Sequence, residues 1–167
     1  ARHRPADVLR YLGPLADEND AELHRQRGHA LMAVQQPHAA IESFFKPLSL
    51  DLRHAHTHYE LGLAFNLLKM KVEAAECFRT ALALGAGPGE VGLRGLLATF
   101  ERDACRWGPA AEELEAFREA ARRLREGDLV WTTPFVHATL VDDPAEQLAM
   151  ARHCSHNLAS KVTPLSA

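Results

Sequence analysis

Small and bulky apolar side chains recur along this chain at helical spacing. Over residues 55–88 (AHTHYELGLAFNLLKMKVEAAECFRTALALGAGP), Leu61, Gly62 and Phe65 lie on one stretch, and Ala74, Phe78 and Ala81 lie on a second. Apolar residues three and four apart predict two amphipathic helices, Ala55–Leu68 and Val72–Leu84, the second stopped by Gly85, Gly87 and Pro88. Gly62 stands inside the first helix, where glycine costs about 1 kcal/mol against alanine. A helix that tolerates this cost points to a close crossing. Gly62 and Ala74 would let the two backbones approach, while Phe65 and Phe78 fill the space beside them. Taken alone, this window is equally open to an ordinary amphipathic hairpin.

The pattern repeats 34 residues upstream, where Gly28 answers Gly62, Leu31 answers Phe65, Ala40 answers Ala74, Phe44 answers Phe78 and Leu50 answers Leu84. Arg27 in place of Leu61 and Pro47 in place of Ala81 break it. Pro47 falls near the end of its helix and predicts a kink in the last turn. A helix–turn–helix unit of 34 residues with small side chains at its crossing is the signature of the tetratricopeptide (TPR) repeat, which buries its apolar faces only by stacking. The predicted fold class is therefore all-α: a TPR-type α-solenoid of antiparallel helix hairpins stacked in a right-handed superhelix.

Residues 1–20 read as the second helix of a partial repeat, Pro5–Leu15. Val8, Tyr11, Leu12, Pro14 and Leu15 echo Ile41, Phe44, Phe45, Pro47 and Leu48 at an offset of 33. Asp17-Glu18-Asn19-Asp20 can cap the helix that follows. Residues 21–54 form a full repeat, with helices Ala21–Val34 and Pro37–Leu48, and residues 55–88 form another. Residues 89–126 form a degenerate helix pair, Glu90–Arg102 and Pro109–Arg125, broken by Asp103–Gly108. Residues 127–167 comprise a connector, Gly127–Val141, with Trp131, Pro134 and Phe135, then a last helix, Asp143–Ser160, started by Asp143-Pro144, and a tail, Lys161–Ala167.

Composition narrows the function classes. The chain has 167 residues, 47% of them apolar, enough for one short solenoid with a core. Its net charge of −3 argues against a nucleic-acid partner. The densest basic run, Arg122-Arg123 with Arg125, follows Glu112, Glu113, Glu115 and Glu119 on one helix, which complements the helix dipole. No apolar run approaches a membrane span. Three widely spaced cysteines, Cys77, Cys105 and Cys154, suggest reduced thiols and a cytoplasmic location. The start, Ala1-Arg2-His3-Arg4-Pro5, has no initiating methionine and reads as a piece of something longer.

The ten histidines invite a metal reading. His54 and His58 are four apart with His56 between them, a spacing at which two imidazoles can share zinc. No third ligand, HExxH glutamate or CxxC stands in register, so the run reads as a polar helix start. His153, Cys154 and His156 form no ligand set, and His137 reads as an isolated, exposed loop histidine. No nucleophile–base pair or Gly-rich nucleotide loop is present. On the sequence, the chain has no catalytic, cofactor-binding or metal site and carries no cofactor.

What the predicted fold offers is a groove. In TPR stacks the first helices of successive repeats line the concave face, with ligand-facing positions 2, 5, 6, 9, 12 and 13. These are Glu22, Arg25, Gln26, His29, Met32 and Ala33, then His56, Tyr59, Glu60, Leu63, Asn66 and Leu67. The peptide-groove candidates are Arg25, Gln26, His29, His56, Tyr59, Glu60, Leu63 and Asn66. Their mix of polar groups over an apolar floor suits a protein segment or extended peptide. Glu60 and His29 replace the asparagine and lysine that a carboxylate clamp needs, and Glu60 would repel a carboxylate.

The C-terminal third carries a further likeness. Cys105-Arg106-Trp107, then Pro134-Phe135, then Asp142-Asp143-Pro144-Ala145-Glu146-Gln147-Leu148-Ala149 with Ala151-Arg152, resembles the segment joining the TPR array to the catalytic domain in bacterial O-linked N-acetylglucosamine transferases and their SPINDLY-like relatives. Arg106 stands where that family has aspartate, and Lys161-Val162-Thr163-Pro164-Leu165 resembles the approach to its first catalytic strand. The resemblance implies a non-catalytic part that binds or orients acceptor proteins for a nucleotide-sugar glycosyltransferase. No catalytic or UDP-binding residue carries over to this chain, and Gln26 and Glu60 stand where the animal enzymes have groove asparagines. The alternative is a stand-alone TPR scaffold acting through self-association or complex assembly.

Overall fold

A computed structural model describes residues 5–12, 20–85, 89–125, 128 and 134–159. Pro14–Asn19, Gly87-Pro88, Trp131 and the tail from Lys161 lie outside the described residues. The described residues contain helices and no strand. They form two compact units, residues 1–86 and 87–167.

The first unit holds α1 (Pro5–Leu12), α2 (Ala21–Ala33), α3 (Pro37–Leu50), α4 (Ala55–Leu67) and α5 (Lys71–Ala83). Each packs on the next in chain order. Asp20 caps α2, its Oδ1 accepting from the backbone N–H of Glu22 and Leu23 at 2.9 and 3.1 Å. Thirty-four residues on, His54 caps α4 with Nδ1, which accepts from Thr57 N–H at 3.2 Å. The turns inside both hairpins are also alike. Gln35 (φ 61°) and Lys69 (φ 63°) are left-handed, and the next residue's N–H donates back to Leu31 and Phe65 carbonyls at 2.9 and 3.0 Å.

The crossings are as tight as the glycines suggested. A Cβ on Gly28 would lie 2.7 Å from Phe44 Cδ1, and one on Gly62 would lie 2.5 Å from Phe78 Cδ1. Both phenylalanines are fully buried, as are Ala40 and Ala74. Pro47 sits within α3, which runs on to Leu50, and its ring is buried in the place Ala81 takes in α5.

The second unit holds α6 (Glu90–Asp103), α7 (Trp107–Arg122), α8 (Pro134–Leu140) and α9 (Pro144–Ala159). The α6–α7 turn reuses the same device. Cys105 has φ 55°, and Arg106 N–H donates to the Glu101 carbonyl at 2.9 Å. Phe117 is fully buried against Val91, Ala98, Ala120, Leu140, Val141, Met150 and Cys154. The connector expected over Gly127–Val141 is corrected here. Pro134–Leu140 is helical, because Val136 and Leu140 find an apolar surface at Gly95 and Phe117.

Candidate functional site

The sequence-picked positions of α2 and α4 meet in the first unit around one carboxylate. Glu60 is 3% exposed, and its Oε1 faces three basic groups. Arg25 Nη1 stands 3.3 Å away, His56 Nε2 stands 2.9 Å away, and His29 Nε2 makes the third pair. Glu60 Oε2 is buried without a hydrogen-bond partner. Arg25 is held from its other side by Glu22, to which Nε and Nη2 donate at 2.9 and 2.7 Å. Gln26 donates to the same Glu22 at 2.6 Å. Tyr59 stacks on His56 with ring centroids 6.0 Å apart and lies 6.2 Å from Phe78. Burial holds the His56 imidazolium below its ordinary value and pushes the Tyr59 phenol above its own. Leu63 and Asn66 are half-buried further along α4.

Helical spacing explains the convergence. His56 and Glu60 are four apart and share a face of α4, as Arg25 and His29 do on α2. Glu60 thus faces inward to these neighbours, and the charge expected to repel a ligand carboxylate is met inside the fold. The histidine run at the start of α4 is divided among tasks. His54 caps the helix, His58 Nε2 lies 2.9 Å from the Leu52 carbonyl, and only His56 reaches Glu60. Neither His54 nor His58 enters the ligand group that the described residues offer, which instead joins His56 and Glu60 of α4 to His29 of α2, one ligand atom each within 4.8 Å of one another.

The second unit has its own cavity, lined by Arg118, Arg122, His137, Glu146, Met150 and His153. The sequence pointed to none of it, and His137 corrects an expectation. It is 1% exposed in α8, its ring 5.2 Å from that of Phe117, and its Nδ1 has no partner. The imidazole is buried because α8 forms at all, and burial lowers its pKa. Arg118 forks onto Glu146 at 2.9 and 2.8 Å, and Arg122 adds a bond at 3.1 Å. The exposed basic run at the end of α7 also bridges elements, Arg122 reaching α9 and Arg123 reaching Glu90 of α6 at 3.0 Å.

The Arg118 and Arg122 hydrogen bonds hold the Glu146 carboxyl at about 2, below its ordinary 4.5. A depressed carboxylate contributes stability above its unfolded-state value and loses it as pH falls through the folded one. Unit 2 is therefore expected to lose stability on acidification from about pH 4.5 to 2. Acid melts of wild type and Glu146→Gln would show this as a flatter curve for the variant, and parallel curves would refute it.

The cysteines are free thiols, Cys77 half-buried, Cys105 exposed and Cys154 buried. Burial pushes the Cys77 thiol up to about 11 and raises Cys154. No helix of the described residues is long and apolar enough to cross a membrane.

No family profile matches the chain, and no curated protein matches it. Among solved structures, one described as MamA protein superposes with a TM-score of 0.64 at 18% identity, over 77% of this chain and 70% of that one. A second MamA structure gives 0.55 at 19% identity, over 94% and 84%. The fold is that of a TPR solenoid protein. At this identity the likeness bears on the fold alone, and it leaves the glycosyltransferase attribution without support.

Proposed function

We propose that this chain is a protein–protein interaction module without catalysis of its own. Its α2 and α4 would hold an extended segment of a partner protein by side-chain contacts. One observation carries the reading. Arg25, His29, His56 and Glu60, taken from the positions that face the groove in a TPR stack, join the two helices into one polar strip. Tyr59 stacks along it as a large, rigid contact surface of the kind that dominates interface energetics.

Replacing Arg25 and Tyr59 together by alanine is expected to weaken a bound peptide by about tenfold or more, since each such anchor is worth over about 1 kcal/mol. Calorimetry with the best binder from a peptide array would measure this, with helicity checked by circular dichroism. Equal affinity would place binding elsewhere or remove it.

A second reading, a scaffold acting through self-association, is favoured by exposed Phe45, Leu52 and Val72 on unit 1. A concentration-independent monomer mass in light scattering would remove it. A narrower version of the first reading attaches the module to a glycosyltransferase. It rests on Cys105-Arg106-Trp107 and the Pro134–Ala149 pattern, and the parent reading frame would decide it. The free thiols support a reducing, cytoplasmic setting.

A further inference from the structure

The cluster around Glu60 has a feature that peptide binding does not use. Two imidazole nitrogens and one arginine nitrogen crowd a single carboxylate oxygen, while the other oxygen of that carboxylate is buried and unpartnered. Donors usually spread over both oxygens, because a buried oxygen without a partner loses the hydrogen bonds it had with water. A cation that takes one or both oxygens removes that deficit.

We infer that His29 Nε2, His56 Nε2 and the Glu60 carboxylate form a binding site for a divalent transition-metal ion, zinc in the first instance. Two imidazoles and one carboxylate make a ligand set that zinc accepts, leaving a fourth position for water or a partner's side chain. The atoms already lie within 4.8 Å of one another, close enough for one ion to reach all three with small side-chain movements. Imidazole ligands disfavour magnesium and calcium, which prefer oxygen. Binding needs both Nε2 lone pairs, so each ring carries its hydrogen on Nδ1 in the bound form.

Arg25 is the competitor, a positive charge 3.3 Å from both Glu60 Oε1 and His29 Nε2. Two shorter bonds to Glu22 anchor it on the other side, so it can yield Glu60 without losing its own partner. His29 and His56 are 47% and 36% exposed, which gives an ion a route in from solvent.

Zinc titrated calorimetrically into tag-free, metal-stripped protein is expected to bind one ion per chain. His29→Ala and His56→Ala are each expected to bind at least about tenfold more weakly, the low end of what even a supporting contact costs a metal site. Cobalt(II) is expected to give visible absorption bands of tetrahedral intensity that zinc abolishes. Arg25→Ala, lacking the competing cation, is expected to bind zinc at least as tightly as wild type. The assignment is overturned by no stoichiometric binding to wild type, by a smaller loss in either histidine variant, by weaker binding to Arg25→Ala, or by absent cobalt bands. Both histidines are partly exposed, so these variants should fold, and circular dichroism would check that they do. The titration contains no peptide, so its failure leaves the groove reading to its own test.

Discussion

Gly62→Leu is expected to unfold the α4–α5 hairpin, at a cost of about 3 kcal/mol or more. The first added carbon would fall 2.5 Å from Phe78 Cδ1, closer than real Cβ contacts come. Phe78 cannot yield cheaply. It is fully buried, with Tyr59 beside it. Thermal melts followed by circular dichroism would register the loss. The double variant Gly62→Leu with Phe78→Ala should be more stable than the sum of the two single effects, because removing the ring removes the collision. Strict additivity, or an unchanged melt for Gly62→Leu, would show that these helices do not cross there.

The second large effect is expected in the other unit. Phe117→Ala should cost about 3–5 kcal/mol, the transfer term plus the cavity left behind. The ring is fully buried at the meeting of α6, α7 and α8, beside Gly95 and the His137 imidazole. A domain holds only about 5–15 kcal/mol in all. The variant should therefore show early loss of amide protection across 90–156 by hydrogen exchange. Protection equal to wild type would mean that the core of this unit lies elsewhere.

The tight crossing at Gly28 and Gly62 was legible in the chain, since a helix tolerates an internal glycine only where something presses on it, but the partner expected at Gly62 was Ala74, and the structure presses the Phe78 ring there instead. In the second unit, Gly95 and Phe117 meet across 22 residues, with no second copy to compare. The helix Pro134–Leu140 leaves little trace in the sequence for a related reason. Seven residues show less than two turns of periodicity, and a helix so short is held by what it packs on. The burial of His137 comes with that helix, because a side chain's exposure follows from its neighbours and not from its own type.

The groove residues show the same division. Sequence position put Arg25, His29, His56 and Glu60 on the first helices of successive repeats. It could not show that one glutamate would gather the other three, or that a ligand set absent within α4 would be completed from α2.

Local sequence alone determined the helices of the two repeats, the cap at Asp20 and the small residues at the crossings, because these depend on backbone propensity and on neighbours within one turn. Tertiary structure alone decided which polar groups became buried and which partners they met. Those distances connect residues dozens of positions apart, and they are set by how far packed helices can approach. Such an approach is a property of the assembled chain.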